Sequence, residues 1–201
     1  MRLVLATGNA GKLKELRELL PPPAFEVLPQ SQFTSASVEE TGLTFIENAI
    51  LKARHAAEVS GLPAIADDSG LEVDALDGAP GIYSARYAGE GASDEDNLMK
   101  LLAALEGKSP AERTARYQCA LVYMRSARDP SPLICQASWE GRITGNRRGT
   151  GGFGYDPIFE LADRPLTVAE LPAAEKNQLS HRGKALRGLV ERLRGIHPIA
   201  C

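Results

Sequence analysis

Apolar positions along the chain change period several times, and each change marks an element. Residues 2–6 (RLVLA) form an apolar run that predicts a buried strand opening a sheet. From Lys12 to Leu20 the residues Leu13, Leu16, Leu19 and Leu20 recur at helical spacing, and Pro21, Pro22 and Pro23 end that helix. A short strand is expected over Phe25 to Leu28, then a polar loop over 29–42 that closes on Glu39-Glu40-Thr41-Gly42. Thr44 begins a long helix, with Glu47 as its capping-box partner. Phe45, Ile46, Ala49, Ile50, Ala53, Ala56 and Ala57 form its apolar side, and Gly61 and Pro63 close it. Residues 64–76 (AIADDSGLEVDAL) read as strand, turn, strand, and 77–92 as a glycine-rich loop. Ser93 caps a further helix, with Leu98, Leu101, Leu102 and Leu105 on one side. Arg113 to Arg125 alternates like a half-buried strand, and Leu133 to Trp139 is its expected antiparallel partner. GTGGFGYDPIF is a glycine-rich approach to another strand, and Ser180 caps a last helix running to Gly195.

Helices alternate with strands early and a hairpin comes late, which predicts an α/β fold with a mixed sheet. At 201 residues and 43% hydrophobic content the chain can bury one sizeable core, in one domain or two closely packed lobes. The net charge is −3, basic residues are dispersed and aromatics make up 5%, so no basic groove with stacking platforms for a nucleic-acid polymer is expected. No run approaches the ~20 apolar residues of a membrane span, and Leu3 to Ala6 is too short for a signal segment. Cys119, Cys135 and Cys201 fit neither a zinc site nor a disulfide framework; two buried strand thiols and one exposed tail thiol are expected, in a cytoplasmic protein.

Candidate chemistry begins at Thr7-Gly8-Asn9-Ala10-Gly11-Lys12, where a strand gives way to a helix. A Walker A loop needs a longer glycine spacing and a Ser or Thr after the lysine, and Leu13 stands there instead. The segment still offers helix N-terminal amides and a cation to an anion, or it is a tight turn with a surface lysine. Asp67-Asp68-Ser69-Gly70 follows an apolar strand; successive strand residues point to opposite sides, and Asp-Ser-Gly is also ordinary turn chemistry. Glu39 and Glu40 suit either a helix cap or Mg²⁺, which takes hard oxygen ligands. Lys52 lies four residues after Asn48, off the apolar stripe, as a site cation or a solvated lysine. Glycines around Phe153 let a flat ligand approach its ring, with Asp156 as an acceptor. Ser180-His181-Arg182, with Lys176, offers donors to an oxygen-bearing edge, or forms a charged cap. His55 and His197 read as surface residues.

Taken in order, TGN-x-GK, EETG, ADDSG, GTGGFGYDPIF and SHRGKAL closely resemble the inosine/xanthosine triphosphate pyrophosphatases, and EETGLTFIENAILKARHAA and GAPGIYSARY resemble the bacterial members. The resemblance implies an elongated mixed sheet with flanking helices in two lobes around a central cleft. It implies Mg²⁺-dependent hydrolysis of a non-standard purine nucleoside triphosphate (dITP, ITP or XTP) to the monophosphate and pyrophosphate, by a homodimer. On this chain Thr7, Gly8, Asn9, Ala10, Gly11 and Lys12 would hold the triphosphate with Lys52. Asp68 would be the general base beside the metal, Glu40 would help bind Mg²⁺, Asp67 would support the site and Ser69 would touch the substrate. Phe153 would stack on the base, with Gly154, Tyr155 and Asp156 lining its pocket and Lys176, His181 and Arg182 reading the purine edge. Donors there suit a 6-oxo acceptor and oppose the 6-amino group of adenine. Two other readings are a non-catalytic purine-nucleotide-binding module, which has no need of Glu40 and the paired aspartates, and a pyrophosphatase of modified pyrimidines, against which the Phe153 platform speaks.

Overall fold

The computed structural model describes residues 1–20, 22 and 24–196; Pro21, Pro23, His197 and Cys201 lie outside the described residues, as do the side chains of Ala10 and Leu19. Strands β1 (Arg2–Ala6), β2 (Glu26–Pro29), β3 (Ala64–Val73), β4 (Thr114–Met124), β5 (Leu133–Ile143) and β6 (Phe159–Leu161) form a six-stranded sheet in the order β2-β1-β3-β4-β5-β6. β1 is parallel to both β2 and β3, with Leu5 opposite Pro29 on one side and Ile65 on the other. β6 is antiparallel to β5, so the sheet is mixed. The helices are α1 (Ala10–Leu19), α2 (Phe45–Ser60), α3 (Asp94–Ala104), α4 (Ala173–Leu179) and α5 (His181–Ile196). Two compact units divide the chain: residues 1–68, 119–137 and 182 onward form the first, and 69–118 with 138–181 the second.

In the first unit β1 and the start of β3 are buried on both faces, which explains their apolar runs, while the edge strand β2 is only half-buried. Leu3, Leu5 and Ile65 point into one core with Leu16 and Leu20 of the α1 end and Ala185, Leu186, Leu189 and Leu193 of α5. Val4, Ala6, Ala64 and Ala66 point the other way, onto Ala49, Ala53, Ala56 and Ala57 of α2. Those small side chains let the helix backbone lie close to the sheet. The cap of α2 differs slightly from the expected reciprocal box. Thr44 Oγ1 accepts from Glu47 N at 3.2 Å, but Glu47 reaches back to Leu43 N (2.9 Å) and the Thr44 hydroxyl (2.9 Å). Gly61 ends α2 in the left-handed conformation at φ 66°.

The second unit has its own core, in which α3 contributes Leu98 and Leu101 and the strands contribute Leu71, Val73, Tyr117, Trp139 and Phe159. Tyr117 and Phe159 pack with ring centroids 4.5 Å apart. The expected Ser93 cap of α3 forms a complete capping box with Asp96.

Several expectations need correction. Residues 64–73 form one continuous strand where a turn was expected at Asp-Ser-Gly. The aspartates are drawn into ion pairs with neighbouring helices, and Gly70 is not among the residues of positive φ, so nothing bends the chain there. The stretch 77–92 is not all loop, since Gly81–Arg86 winds as a 3₁₀ helix. Helix α4 was not anticipated, because its apolar periodicity is short and the sequence PAAEKNQL resembles a polar connection. Cys119 and Cys135 are buried, unpaired strand thiols, as expected.

Candidate active site

The first unit gathers most of the expected charged residues around the end of its part of β3. Strand alternation is the reason. Asp67 has the parity of Ile65 and faces α1 and α5; Asp68 has the parity of Ala66 and faces α2. On the first side Lys12 Nζ lies 3.1 Å from Asp67 Oδ1, a charge contact without the alignment of a hydrogen bond. Arg182 Nε donates to Asp67 Oδ2 at 3.1 Å, and Arg182 Nη1 pairs with Glu15 of α1. On the second side Lys52 Nζ donates to Asp68 Oδ1 at 2.7 Å and to Glu40 Oε1 at 2.9 Å.

This arrangement drives the adjacent carboxyls in opposite directions. Burial pushes Asp67 up, but the charges of Lys12, Arg182 and Lys52 outweigh it and hold the carboxyl well below the usual range. Burial also pushes Asp68 up; Lys52 and Lys12 oppose it without prevailing, and the Glu40 charge adds to the rise. Lys52 is itself raised: burial disfavours its charge, and Asp68, Asp67 and Glu40 more than restore it. Cys119 Sγ, 3.8 Å from Asp67 Oδ2, is raised far above a reactive thiol by burial and by that carboxylate.

The expected anion loop sits beside these charges in sequence and in space. Asn9 caps α1, its Oδ1 accepting from Lys12 N at 3.0 Å, while Thr7 Oγ1 accepts from Asn9 N at 3.2 Å. The amides of Ala10 and Gly11, at the first positions of α1, have no intrahelical acceptor. Glu40 is carried by a loop clasped to α2, for Gly42 N donates to Asn48 Oδ1 at 2.8 Å. A Cβ at Gly42 would lie 2.7 Å from that oxygen, which explains the glycine of EETG. Ala6, Thr7 and Gly8, most of the segment 30–38 but not Gln32 or Phe33, Glu40 and Lys52 supply the lining of a cavity of about 250 Å³. Sequence reasoning passed over the segment 30–38 as a polar loop; its dense hydroxyls, SQFTSAS, were the available signal.

In the second unit Phe153 and Lys176, both expected at the base, meet on Asp156, together with Tyr117. Its Oδ2 accepts from Phe153 N at 2.9 Å and from Lys176 Nζ at 2.8 Å, and its Oδ1 from the Tyr117 hydroxyl at 3.1 Å. Lys176 Nζ also lies 4.6 Å from the centroid of the half-buried Phe153 ring. His181 stacks on Tyr117 at 4.8 Å. Gly154 N donates to Asp94 Oδ2 at 2.8 Å. Tyr155 is buried in the core and its hydroxyl donates to Ser84 O at 2.8 Å, so the ring anchors the loop. Ser69 is half-buried in β3.

The charged-cap alternative for the donor group does not hold. A charged cap would leave Lys176, His181 and Arg182 exposed. All three are buried, Lys176 faces Asp156, and Arg182 is committed to Asp67 and Glu15. A guanidinium buried to that degree has to find carboxylates. Lys52 is half-buried between two acids rather than solvated.

Taken separately, the first unit sets an adjacent carboxylate pair beside cations and a helix N-terminus, and the second sets the Phe153 ring beside Lys176 and Asp156. Comparison with known proteins gives the family. Residues 3–192 match the Ham1 family pattern, and the chain belongs to that family. It is 62% identical over 195 residues to the dITP/XTP pyrophosphatase of Thioalkalivibrio sulfidiphilus, covering 97% of this chain and 100% of that one. It is 60% identical over 193 residues to the dITP/XTP pyrophosphatase of Shigella flexneri, covering 96% and 98%. The fold superimposes on a HAM1 protein from Coxiella burnetii with TM-score 0.89 at 49% identity, covering 97% and 99%. The Staphylococcus aureus Ham1 protein gives TM-score 0.86 at 41% identity, with the same coverage.

Two variants test the geometry. Asp67→Asn leaves Lys12 and buried Arg182 without their common counter-charge; the expected loss is about 3–5 kcal/mol of stability, read by urea unfolding. Gly152 has φ 76°, and a Cβ there would lie 2.0 Å from Asp156 Oδ2. Gly152→Ala is expected to displace Asp156 and weaken nucleotide binding about tenfold or more by titration calorimetry, since it disturbs a charge-assisted bond set. Unchanged affinity would place base binding elsewhere.

Proposed function

We propose that this protein hydrolyses non-standard purine nucleoside triphosphates, dITP, ITP and XTP, to the monophosphate and pyrophosphate. The observation that carries the reading is the pairing of Asp67 with Lys12 and Arg182, and of Asp68 and Glu40 with Lys52, beside a helix start with unsatisfied amides in a chain of the Ham1 family. Relatives named dITP/XTP pyrophosphatase at about 60% identity over nearly their whole length support the substrate class.

In this reading the Ala10 and Gly11 amides, the Thr7 to Lys12 loop, and Lys52 hold the phosphates, since catalysis of phosphoryl transfer rests on positioning and charge neutralisation. Asp68, less acidic than its neighbour, takes a proton from water as the water oxygen bonds to the α-phosphorus. The bond from that phosphorus to the bridging oxygen breaks and pyrophosphate departs. Asp67, held ionised by Lys12 and Arg182, keeps those two cations in place. Phe153 offers its ring to the purine, Ser69 and the Gly154–Asp156 loop border it, and Lys176, His181 and Arg182 donate to its 6-oxo edge, with Arg182 also tied to Asp67. A non-catalytic nucleotide-binding protein has no use for a buried carboxylate kept poised beside a lysine.

The donor set suits Mg²⁺. Glu40 and Asp68 are hard oxygen ligands that share one ammonium, and the buried Asp68 Oδ2 makes no hydrogen bond. Mg²⁺ usually takes only one or two protein carboxylates, the rest of its shell coming from water and phosphates. When bound there it supplies charge neutralisation on the phosphate oxygens. The same reading carries a homodimer, expected to sediment at twice the chain mass, and a cytoplasmic location. No helix among the described residues is long and apolar enough to cross a membrane.

The deciding experiment measures pyrophosphate release with Mg²⁺ over a panel of triphosphates. Fast turnover of ITP, dITP and XTP is expected, slow turnover of ATP, GTP, CTP and UTP, and none after chelation by EDTA. Equal rates across the panel, or orthophosphate as the first product, would sink the reading. In Asp68→Asn, kcat is expected to fall about 10²–10⁴-fold while nucleotide binding persists; loss of binding and folding together would make Asp68 structural.

A further inference from the structure

The cavity of the first unit has more polar wall than the anion loop accounts for. β1 and β2 are parallel neighbours, so the segments that follow their carboxyl ends, Thr7–Gly8 and 30–38, come to the same edge of the sheet. Ligands of open parallel sheets bind at that edge. The lining includes Ser31, Thr34, Ser35 and Ser37, one cation in Lys52, the carboxylate of Glu40 paired with it, and no aromatic ring. A cavity of about 250 Å³ is below the range of about 300–1,000 Å³ typical of whole drug-sized ligands, so it suits a fragment of a nucleotide. Its serine and threonine hydroxyls suit the phosphate end, and its lining offers a purine nothing to stack on.

The segment is also held in shape without using those serines. Gln30–Gln32 forms a 3₁₀ turn, and Phe33 N and Thr34 N donate to Gln30 O at 2.9 and 3.1 Å. Thr34 Oγ1 accepts from Ala36 N at 3.0 Å, and Gln30 Nε2 donates to Ala36 O at 3.1 Å. Ser35 and Ser37 are exposed, their hydroxyls have no hydrogen-bond partner among the described residues, and both line the cavity. Lys52, in the same wall, contacts Asp68.

We propose that this cavity seats the two phosphates that leave, with the Ser35 and Ser37 hydroxyls donating to the departing pyrophosphate. This rests on reading the neighbouring site as one that cleaves the α–β bond. Lys52 and Asp68 fix the reacting end, and the hydroxyl wall takes the remainder of the chain. Donors to a charged acceptor form stronger hydrogen bonds than neutral pairs, so loss of both serines weakens the product substantially.

The test uses the full chain with Mg²⁺, titrated calorimetrically with inorganic pyrophosphate and, separately, with inosine monophosphate. In Ser35→Ala/Ser37→Ala the Kd for pyrophosphate is expected to rise about tenfold or more, while that for the monophosphate changes less than about twofold. Retained monophosphate binding also shows that the variant is folded. Unchanged pyrophosphate affinity, equal weakening of both ligands, or no pyrophosphate binding by the unsubstituted protein overturns the proposal. Pyrophosphate release from dITP by the unsubstituted protein tests the hydrolytic reading separately, so the two failures are distinguishable.

Discussion

The placement of two consecutive aspartates in a buried strand is the constraint on which the first unit depends. A carboxylate costs several kcal/mol to bury without a partner. Because a strand turns successive side chains to opposite faces, one partner cannot serve both. Asp67 therefore draws Lys12 from α1 and Arg182 from α5, while Asp68 draws Lys52 from α2. Three helices on two faces of the sheet are tied to two adjacent residues of one strand. The asymmetry of the chemistry follows: Asp67 faces two cations and stays strongly acidic, and Asp68 shares its lysine with Glu40 and becomes less acidic than a free carboxyl.

Placement of Glu40 depends on a second, smaller constraint. EETG lies outside regular structure, where a chain is ordinarily mobile. Here the start of α2 fixes it at consecutive backbone amides, Asn48 accepting from Gly42 N and Glu47 from Leu43 N. Asn48 is fully buried, and its oxygen faces the amide at a distance that leaves no room for a side chain on residue 42. A helix cap thus becomes the support of a proposed metal ligand. For Glu39 and Glu40 capping and metal binding stood as alternatives; the α2 cap is made by Glu47, and Glu40 faces Lys52.

What the sequence disclosed and what it withheld divide along physical lines. Elements with long apolar periodicity or strong caps were legible: α2 from Thr44 to Gly61, α3 from its Ser93 cap, and the apolar strand at residues 2–6. The residues of the charged cluster were singled out as candidates, but Asp67-Asp68 also read as a turn and Lys52 as a solvated lysine. Their pairing was not legible. Arg182 meets Asp67 across 115 residues of chain, and no local pattern encodes that contact. The same blindness produced the false turn at Asp-Ser-Gly: local turn propensity is weak beside ion pairs with three helices. The hydroxyl-rich segment 30–38 looked like ordinary loop composition, and only the parallel pairing of β1 with β2 brings it to the edge occupied by Thr7 and Gly8.

The opening motif shows how a departure from a familiar pattern carries information. In a P-loop the residue after the lysine is a hydroxyl that holds the metal. Here that residue is Leu13, partly buried against the core that Leu16, Leu20 and α5 share. Its position faces inward, so a hydroxyl there would serve no ion. The loop also turns its lysine to a carboxylate: Lys12 rests against Asp67, and the capping oxygen of Asn9 takes the Lys12 amide. What this helix start retains for an anion is the pair of amides at Ala10 and Gly11, together with a lysine already half neutralised. Such a loop cannot hold a triphosphate and its metal unaided. The remaining charge has to be met from other elements, and Glu40, Lys52 and Asp68, brought together by α2 and β3, are the groups on this side of the sheet that can meet it.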